Sequence, residues 1–157
     1  MGVDCFMATK QLVVFKLQGQ EFGIDIMKVL EILNYCTIRS VPEVPSYIEG
    51  IVNVRGVVYP IINLRTRLEL TPYEDESVCK FILLNLEAVK VGFMVDSVSE
   101  ILTVEEDDIE QAPQIHQTDK VSCLDGIVKK EERMILILDV DVLVSEAENI
   151  VLEEIGS

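Results

Sequence analysis

An internal duplication is the feature of this sequence that most constrains how the chain can fold. Residues 11–33 (QLVVFKLQGQEFGIDIMKVLEIL) align without a gap on residues 80–102 (KFILLNLEAVKVGFMVDSVSEIL). Further along, GIV at 50–52 matches GIV at 126–128, and the offset between the copies grows from 69 to 76 residues. Because the two matches occur in the same order, they indicate that the chain consists of two related halves.

Both halves have mostly the pattern of short β-strands. In the first half, strand-like residues 11–17 and 21–26 flank the tripeptide QGQ, which is typical of a tight hairpin. Residues 50–56 and 57–62 form a second strand pair, which follows the turn-forming stretch VPEVP. The sequence therefore predicts a fold that consists largely of β-hairpins.

Two short segments add helical features to this pattern. Residues 27–33 carry apolar side chains at helical spacing, which predicts a short helical turn. Residues 63–70 (NLRTRLEL) suit a short amphipathic helix with Asn63 as its N-cap. The predicted fold class is thus all-β with short helices.

The duplication and the strand pattern together predict two similar small β-barrels that pack on each other. Neither half alone would bury much apolar core, so we expect the halves to fold together, with Leu17 and Leu86 at equivalent buried positions. The predicted boundaries are a domain at 9–146, repeat blocks at 11–70 and 80–146, and tails at 1–8 and 147–157.

The charge balance narrows the classes of partner. The chain carries 13 Lys and Arg residues against 28 Asp and Glu residues, a net charge of −15. Nucleic acids and anionic membranes attract proteins through a basic field, which this composition lacks. No apolar run approaches the roughly 20 residues of a membrane span, and the N-terminus lacks the pattern of a signal peptide. We expect a cytoplasmic protein that neither binds nucleic acid nor inserts into the membrane.

Candidate catalytic thiols and imidazoles are sparse. The cysteines Cys5, Cys36, Cys79 and Cys123 contain no C-x-x-C pair, which favours free structural thiols in a reducing compartment. The single histidine, His116, lies in a polar stretch without the context of a catalytic base.

Two acidic runs are the candidates for metal binding. EEDD at 105–108 and DVD at 139–141 offer carboxylate oxygens, but neither has the spacing of a calcium loop. We therefore predict no metal and no cofactor, and we find few residues that could support enzymatic activity. A small metal-dependent hydrolase that uses these acidic runs is an alternative from another functional class.

Arg55 stands apart from the duplicated pattern. The stretch NVRG at 53–56, between two strands of the first half, becomes KKEE at 129–132 in the second half. The glycines and aliphatic residues that the core needs recur in both halves, whereas this arginine occurs once. This difference favours a role of Arg55 beyond folding. Two roles stay open: contact with a partner, or hydrogen bonds to backbone carbonyls that hold the barrels together.

Four stretches carry a resemblance to a known family. They are residues 11–33, 41–65 (VPEVPSYIEGIVNVRGVVYPIINLR), 91–102 (VGFMVDSVSEIL) and 125–144 (DGIVKKEERMILILDVDVLV). In this order and spacing, the chain resembles the CheW family of chemotaxis coupling proteins. The resemblance implies two five-stranded SH3-like β-barrels packed on each other, which agrees with the duplication.

The resemblance also implies a function without enzymatic activity. A CheW-like protein links the cytoplasmic tips of methyl-accepting chemotaxis receptors to the regulatory domain of the histidine kinase CheA. It thereby lets the receptor control kinase activity, at receptor arrays on the inner face of the membrane. Because the kinase regulatory domain has the same fold, an isolated regulatory-type domain or an adaptor in another two-component signalling pathway is the alternative.

Individual positions match two functional sets of the family. The receptor-binding set is Val29, Glu31, Arg55 and Val78, and the kinase-binding set is Val13, Ile26 and Gly50. Val13 and Ile26 would lie on a face of the first hairpin that stays exposed when the opposite face packs into the barrel.

The sequence departs from the family pattern near these positions. Glu49 stands where many members have lysine, and Asn63 replaces a frequent aspartate. Leu33 and Asn34 stand where many members have Arg-Gly. Gly50 also has a purely conformational interpretation, because glycine tolerates backbone geometries that other residues do not.

Overall fold

Short apolar stretches separated by tight turns give this chain its strands. The computed structural model describes residues 9–87, 89–111 and 123–144, which contain eleven β-strands. The strands are β1 (Thr9–Leu17), β2 (Gln20–Asp25), β3 (Val29–Asn34), β4 (Ile48–Val54), β5 (Val57–Asn63), β6 (Lys80–Leu84), β7 (Gly92–Val95), β8 (Ser97–Glu105), β9 (Ile109–Glu110), β10 (Leu124–Lys130) and β11 (Arg133–Leu138).

The strands form two sheets, which we call the first and the second barrel. The first has the order β8-β1-β2-β11-β10-β9, and the second has the order β3-β6-β7-β5-β4. Neighbouring strands are antiparallel except for two parallel pairs, β2 with β11 and β5 with β7. The predicted all-β class with two small barrels is confirmed.

Each barrel combines strands from both repeats, so a barrel does not coincide with a repeat block. The hairpin β1–β2 of the first repeat joins β8 to β11 of the second repeat. In the same way, the hairpin β6–β7 of the second repeat joins β3 to β5 of the first. The two barrels are therefore equivalent under the duplication, and neither repeat contains a complete barrel.

Short bridging segments close both sheets. In the first barrel, β8 continues through the 3-10 turn Glu106–Asp108 into β9, which pairs with β10. In the second barrel, the chain beyond β3 reaches Arg39, whose backbone exchanges two hydrogen bonds of 2.8 Å with Ile51 in β4. These contacts connect the end strands of each sheet and curve the sheet into a barrel.

A glycine lies at the point of closure in both barrels, at equivalent positions of the two repeats. A Cβ atom on Gly50 would lie 2.3 Å from the carbonyl oxygen of Arg39, and Gly50 has a φ of +150°. A Cβ atom on Gly126 would lie 2.7 Å from Cγ2 of Ile109. The repeated GIV motif thus reflects a close backbone approach that only glycine allows.

The described residues form three apolar cores, one inside each barrel and one shared between them. The first barrel encloses Leu12, Val14, Val104, Val128, Ile135 and Ile137. The second encloses Val52, Val54, Tyr59, Ile61, Cys79, Phe81, Leu83 and Met94. The larger shared core draws side chains from both sheets and includes Val13, Phe15, Leu17, Ile62, Ile82, Leu84 and Phe93.

The central strand β1 is buried on both faces. Its residues Leu12 and Val14 point into the first barrel, whereas Val13 and Phe15 enter the shared core. The expectation that the first hairpin leaves one face exposed is therefore wrong, because that face packs against the other barrel. The continuous apolar run LVVF is the pattern of a strand buried on both sides.

Of the two predicted helical segments, the structure confirms one and contradicts most of the other. Asn63 caps α1 (Leu64–Arg67) as predicted, with Oδ1 accepting a hydrogen bond of 3.3 Å from the amide of Thr66. The predicted helical turn at 27–33 is wrong for most of its length, since a 3-10 turn at Ile26–Lys28 leads directly into β3. Pairing of β3 with β6 outweighs the helical spacing there.

The two leucines expected at equivalent positions both reach the shared core. Leu17 is fully buried within that core. Leu86, beyond the end of β6, packs against the same core but is only partly buried. The equivalence therefore extends to the location of the two side chains and not to their exposure.

Candidate functional site

The turn between β4 and β5 fixes the position of Arg55. Arg55 and Gly56 have φ values of +51° and +86°, the pattern of a two-residue type I′ hairpin turn. The side chain of Asn53 supports the turn, because its Oδ1 accepts a 2.9 Å hydrogen bond from the amide of Gly56. A residue with a Cβ atom at positive φ is unusual, and this turn presents its side chain to solvent.

Arg55 contacts Glu31, so the structure brings two of the predicted receptor-binding residues together. Nη2 of Arg55 donates to Oε1 of Glu31 in β3, and the arginine side chain remains 70% exposed. The hydrogen bond to Glu31 is the main cause of the raised pKa of Arg55. This contact lies within the second barrel, so the alternative in which Arg55 holds the two barrels together finds no support among its described contacts.

Arg133 forms the corresponding ion pair in the first barrel. Its Nη2 donates to Glu100, the duplicate of Glu31, at 2.7 Å, and to Glu21 at 2.7 Å. The two carboxylates raise the pKa of Arg133. The expectation that only the first half needs such an arginine is therefore wrong. The second half also has an arginine that contacts the duplicated glutamate, but this arginine lies in β11 and not in the turn. The two pairs differ in exposure, since the side chain of Arg133 is only 33% exposed.

The other two predicted receptor-binding residues lie in different surroundings. Val29 begins β3, two positions before Glu31, and packs partly against the shared core. Val78 ends the 3-10 turn Glu76–Val78 and is 66% exposed. It lines a surface cavity of about 310 Å³ that also includes Arg65, Tyr73 and Asp96.

A partly buried ion pair forms one wall of this cavity. Nε of Arg65 donates to Oδ1 of Asp96 at 2.9 Å, and Nη2 donates to Oδ2 of the same carboxylate. The guanidinium also lies over the ring of Tyr73, 4.2 Å from the centroid. No pattern in the sequence predicts this cluster, because Arg65, Tyr73 and Asp96 belong to three different segments.

The predicted kinase-binding residues are mostly interior. Val13 is 1% exposed, which corrects the expectation that it lies on an open face. Gly50 is buried beneath the carbonyl of Arg39. Ile26 is partly buried against the shared core, beside Met27, which is 74% exposed.

Exposed apolar residues occur at duplicated positions on the two barrels. Ile32 in β3 is 41% exposed and pairs with Ile82, whereas its duplicate Ile101 in β8 is 54% exposed and pairs with Val13. Val58 in β5 is 41% exposed, and its duplicate Met134 in β11 is 46% exposed. Their positions follow from the sequence offsets of 69 and 76, but their exposure does not.

The two departures at positions 49 and 63 compensate each other. Asn63 is 3% exposed, and its Nδ2 donates a 2.8 Å hydrogen bond to Oε1 of Glu49. An amide at 63 can donate to a carboxylate at 49, whereas two carboxylates would repel each other. The neutral side chain of Asn63 therefore keeps a hydrogen bond to position 49, where the family pattern pairs a lysine with an aspartate.

The acidic runs serve local structure. Glu105 and Asp108 form the capping box of the 3-10 turn between β8 and β9. Asp139 accepts a 3.2 Å hydrogen bond from the amide of Val142, and Asp141 pairs with Lys28 at 3.4 Å. Within residues 9–87, 89–111 and 123–144, no three His, Cys, Asp or Glu side chains converge as metal ligands. His116 and Cys5 lie outside the described residues.

In the segments that the structure covers, no helix is long and apolar enough to cross a membrane.

Comparison with known proteins identifies the family. The model of the CheW-like domain matches residues 11–148. Chemotaxis protein CheW of Bacillus subtilis (strain 168) is 35% identical over 137 residues, 87% of this chain and 88% of the relative. Chemotaxis protein CheW of Treponema pallidum (strain Nichols) is 34% identical over 142 residues, 88% of this chain and 84% of the relative.

A solved structure agrees with these relatives. The crystal structure of the scaffolding protein TtCheW from Thermoanaerobacter tengcongensis superposes with a TM-score of 0.79 at 32% identity. The superposition covers 87% of this chain and 92% of that protein. Matching sequence and matching architecture over most of its length show that this chain belongs to the CheW family of chemotaxis proteins.

Proposed function

We propose that this chain is a non-enzymatic coupling protein that links chemoreceptors to a histidine kinase. Its partners are the cytoplasmic hairpin tips of methyl-accepting chemotaxis receptors and the regulatory domain of the kinase CheA. By holding both, it lets the receptor control kinase activity in the cytoplasm, at receptor arrays on the inner face of the membrane. Membership of the CheW family and the likeness to a scaffolding protein support this proposal.

The observation that carries the proposal is the duplication of one exposed surface. Single exposed apolar side chains are ordinary on proteins. Here, however, Ile32 and Val58 on the second barrel recur as Ile101 and Met134 on the first. A protein that holds two partners at once needs two surfaces that do not overlap, and two equivalent barrels provide them.

The second barrel is the proposed receptor side. Glu31 and Arg55 are in contact there, and the exposed part of the guanidinium remains available to a partner carboxylate. Val29 lies on the same strand as Glu31, and Val78 adds an exposed apolar side chain shortly before β6.

The first barrel is the proposed kinase side. Ile101 lies on the outer face of β8 directly opposite Val13, so the buried valine supports an exposed neighbour instead of meeting the partner itself. Met134 lies on β11 of the same barrel, and Ile26 follows β2. Gly50 lies in β4 of the second barrel, so we assign it a role in closing that barrel and not a contact with the kinase.

Reciprocal variants test this assignment. Each variant is titrated by calorimetry against a soluble kinase regulatory domain and, separately, against a soluble fragment of the receptor hairpin tip. Ile101→Glu should lower kinase affinity by about 2 kcal/mol or more, because it buries an unpaired charge, and should leave receptor affinity unchanged. Arg55→Glu should show the opposite pattern.

Val57→Glu is the matched control for the kinase titration. It places the same charge on an exposed valine of the other barrel, 38% exposed, and should leave kinase affinity as in the wild type. Circular dichroism confirms that each variant is folded before titration. Equal loss of both partners in folded Ile101→Glu would contradict the division of surfaces, and no binding of either partner by the wild type would refute the function.

A further inference from the structure

The connector between α1 and β6, defined here as residues 71–78, is fixed at its start by one arginine. Nη1 of Arg65 donates a 3.1 Å hydrogen bond to the carbonyl oxygen of Thr71, and the guanidinium stacks over Tyr73. The amide of Thr71 in turn donates a 2.9 Å hydrogen bond to Oε1 of Gln18. The connector thus begins on the second barrel while contacting the first hairpin turn of the other barrel.

Asp96 also connects the two barrels. It lies between β7 of the second barrel and β8 of the first, and accepts the hydrogen bonds from Nε and Nη2 of Arg65. Oδ2 also accepts a 2.9 Å hydrogen bond from the amide of Gln18. The Arg65 and Asp96 side chains are only 16% and 20% exposed, so solvent screens this pair less than a surface salt bridge.

The far end of the connector carries Val78. Asp75 caps the final 3-10 turn, with Oδ1 accepting from the amide of Ser77 at 3.0 Å and from its hydroxyl at 2.6 Å. Val78 then lines the same cavity as Arg65, Tyr73 and Asp96. Only Glu74 separates Tyr73 from the Asp75 cap, so Val78 has little freedom once the ring of Tyr73 is held.

We infer that Arg65, held by Asp96, is a positioning residue. It determines the position of the Val78 side chain relative to the contact between the two barrels. The pair acts through the connector and does not itself contact the partner. This inference rests on the proposed function, because it assigns to Val78 the role of a receptor contact. It adds two partly buried charged residues to the determinants of receptor affinity.

A double-mutant cycle tests the inference. Affinity for the receptor hairpin fragment is measured for the wild type, Arg65→Met, Val78→Ala and the double variant. We expect Arg65→Met to weaken receptor binding about tenfold in the wild-type background. In the Val78→Ala background it should have almost no effect, because the side chain that Arg65 positions is absent. A purely structural role would give equal effects in both backgrounds and would overturn the inference.

Arg133→Met is the matched control. Arg133 also binds two groups through an ion-paired guanidinium, but in the first barrel and away from the connector. It should leave receptor affinity within twofold of the wild type. A tenfold loss in this control would mean that any broken ion pair lowers affinity, which would also overturn the inference.

A second measurement decides the question if Arg65→Met does not fold or if the wild type does not bind the receptor fragment. Arg65→Lys keeps the charge but cannot make the two-pronged contact to Asp96. Amide hydrogen exchange at residues 71–78 should then be at least several-fold faster than in the wild type, with exchange in β6 unchanged. Unchanged exchange in the connector would refute the positioning role independently of receptor binding.

Discussion

Glu31 of β3 accepts a hydrogen bond from Arg55 in the β4–β5 turn, which joins the two end strands of the second sheet through side chains. The carboxylate orients the guanidinium without covering it, since the arginine side chain is still 70% exposed. Exposed ion pairs contribute little to folding. The pair is therefore better suited to presenting a charge than to stabilising the barrel.

Replacing Arg55 should separate binding from folding. Arg55→Asn removes the guanidinium but keeps a residue that tolerates the left-handed turn conformation. We expect an unfolding free energy close to that of the wild type and receptor affinity weakened about tenfold, measured by urea denaturation and by titration. Wild-type affinity in Arg55→Asn would show that the arginine is not a receptor contact.

Gly50 should be among the least replaceable residues of the chain. In Gly50→Ala, the new Cβ would lie 2.3 Å from the backbone oxygen of Arg39, so the bridge that closes the second barrel must move. We expect a loss of about 3 kcal/mol or more in chemical denaturation. Gly56→Ala is the control, because it also has positive φ but nothing within 4 Å, and should lose only about 1 kcal/mol. Similar losses in both variants would contradict a specific role of the Arg39 contact.

The exchange of strands between repeats makes the halves interdependent. A fragment that ends at Glu76 keeps β1 to β5 but loses β8 to β11 from the first barrel and β6 and β7 from the second. We expect it to show no cooperative thermal transition by circular dichroism, and addition of a fragment that starts at Ser77 to restore one. A cooperative transition in the first fragment alone would contradict this dependence.

The Arg65–Asp96 pair predicts a specific pH dependence. Burial alone would raise the pKa of Asp96, but hydrogen bonds from Arg65 and from the amide of Gln18 lower it below its ordinary value. A lowered folded-state pKa stabilises the protein above the unfolded pKa of about 4, and this contribution is lost as the pH falls through the folded-state pKa.

Asp96→Asn should therefore be less stable than the wild type at pH 7, and the difference should shrink below about pH 4. Urea denaturation at a series of pH values measures this difference. Asp107→Asn, in an exposed 3-10 turn, should show no comparable difference at any pH. A constant gap between Asp96→Asn and the wild type across the series would mean that the carboxylate charge contributes nothing.

The sequence predicted the duplicated elements well because their signals are local. The QGQ hairpin, the strands around Arg55 and the Asn63 cap each depend on neighbouring residues, and the structure confirms them. The partners of each strand were not predictable, because similar repeats offer similar edges and the pattern does not say which copy a hairpin joins.

The errors at the candidate site have the same origin. A hairpin that packs on a single barrel would leave Val13 on an open face, but here the other barrel covers that face. Arg133 was missed because its position in the repeat corresponds to Val57 and not to Arg55. The side chain reaches the duplicated glutamate from another backbone position, which only the fold reveals.

Simultaneous binding of both partners is the most direct test of the proposed coupling role. The kinase regulatory domain, labelled with a fluorophore, is bound to this chain at saturation, and the receptor hairpin fragment is then titrated in while sedimentation velocity is recorded. The account predicts a faster-sedimenting ternary complex that retains the labelled domain in full, because the two barrels present separate surfaces. Release of the labelled domain in proportion to the added receptor fragment would show that the two partners compete for one surface, and would contradict the account.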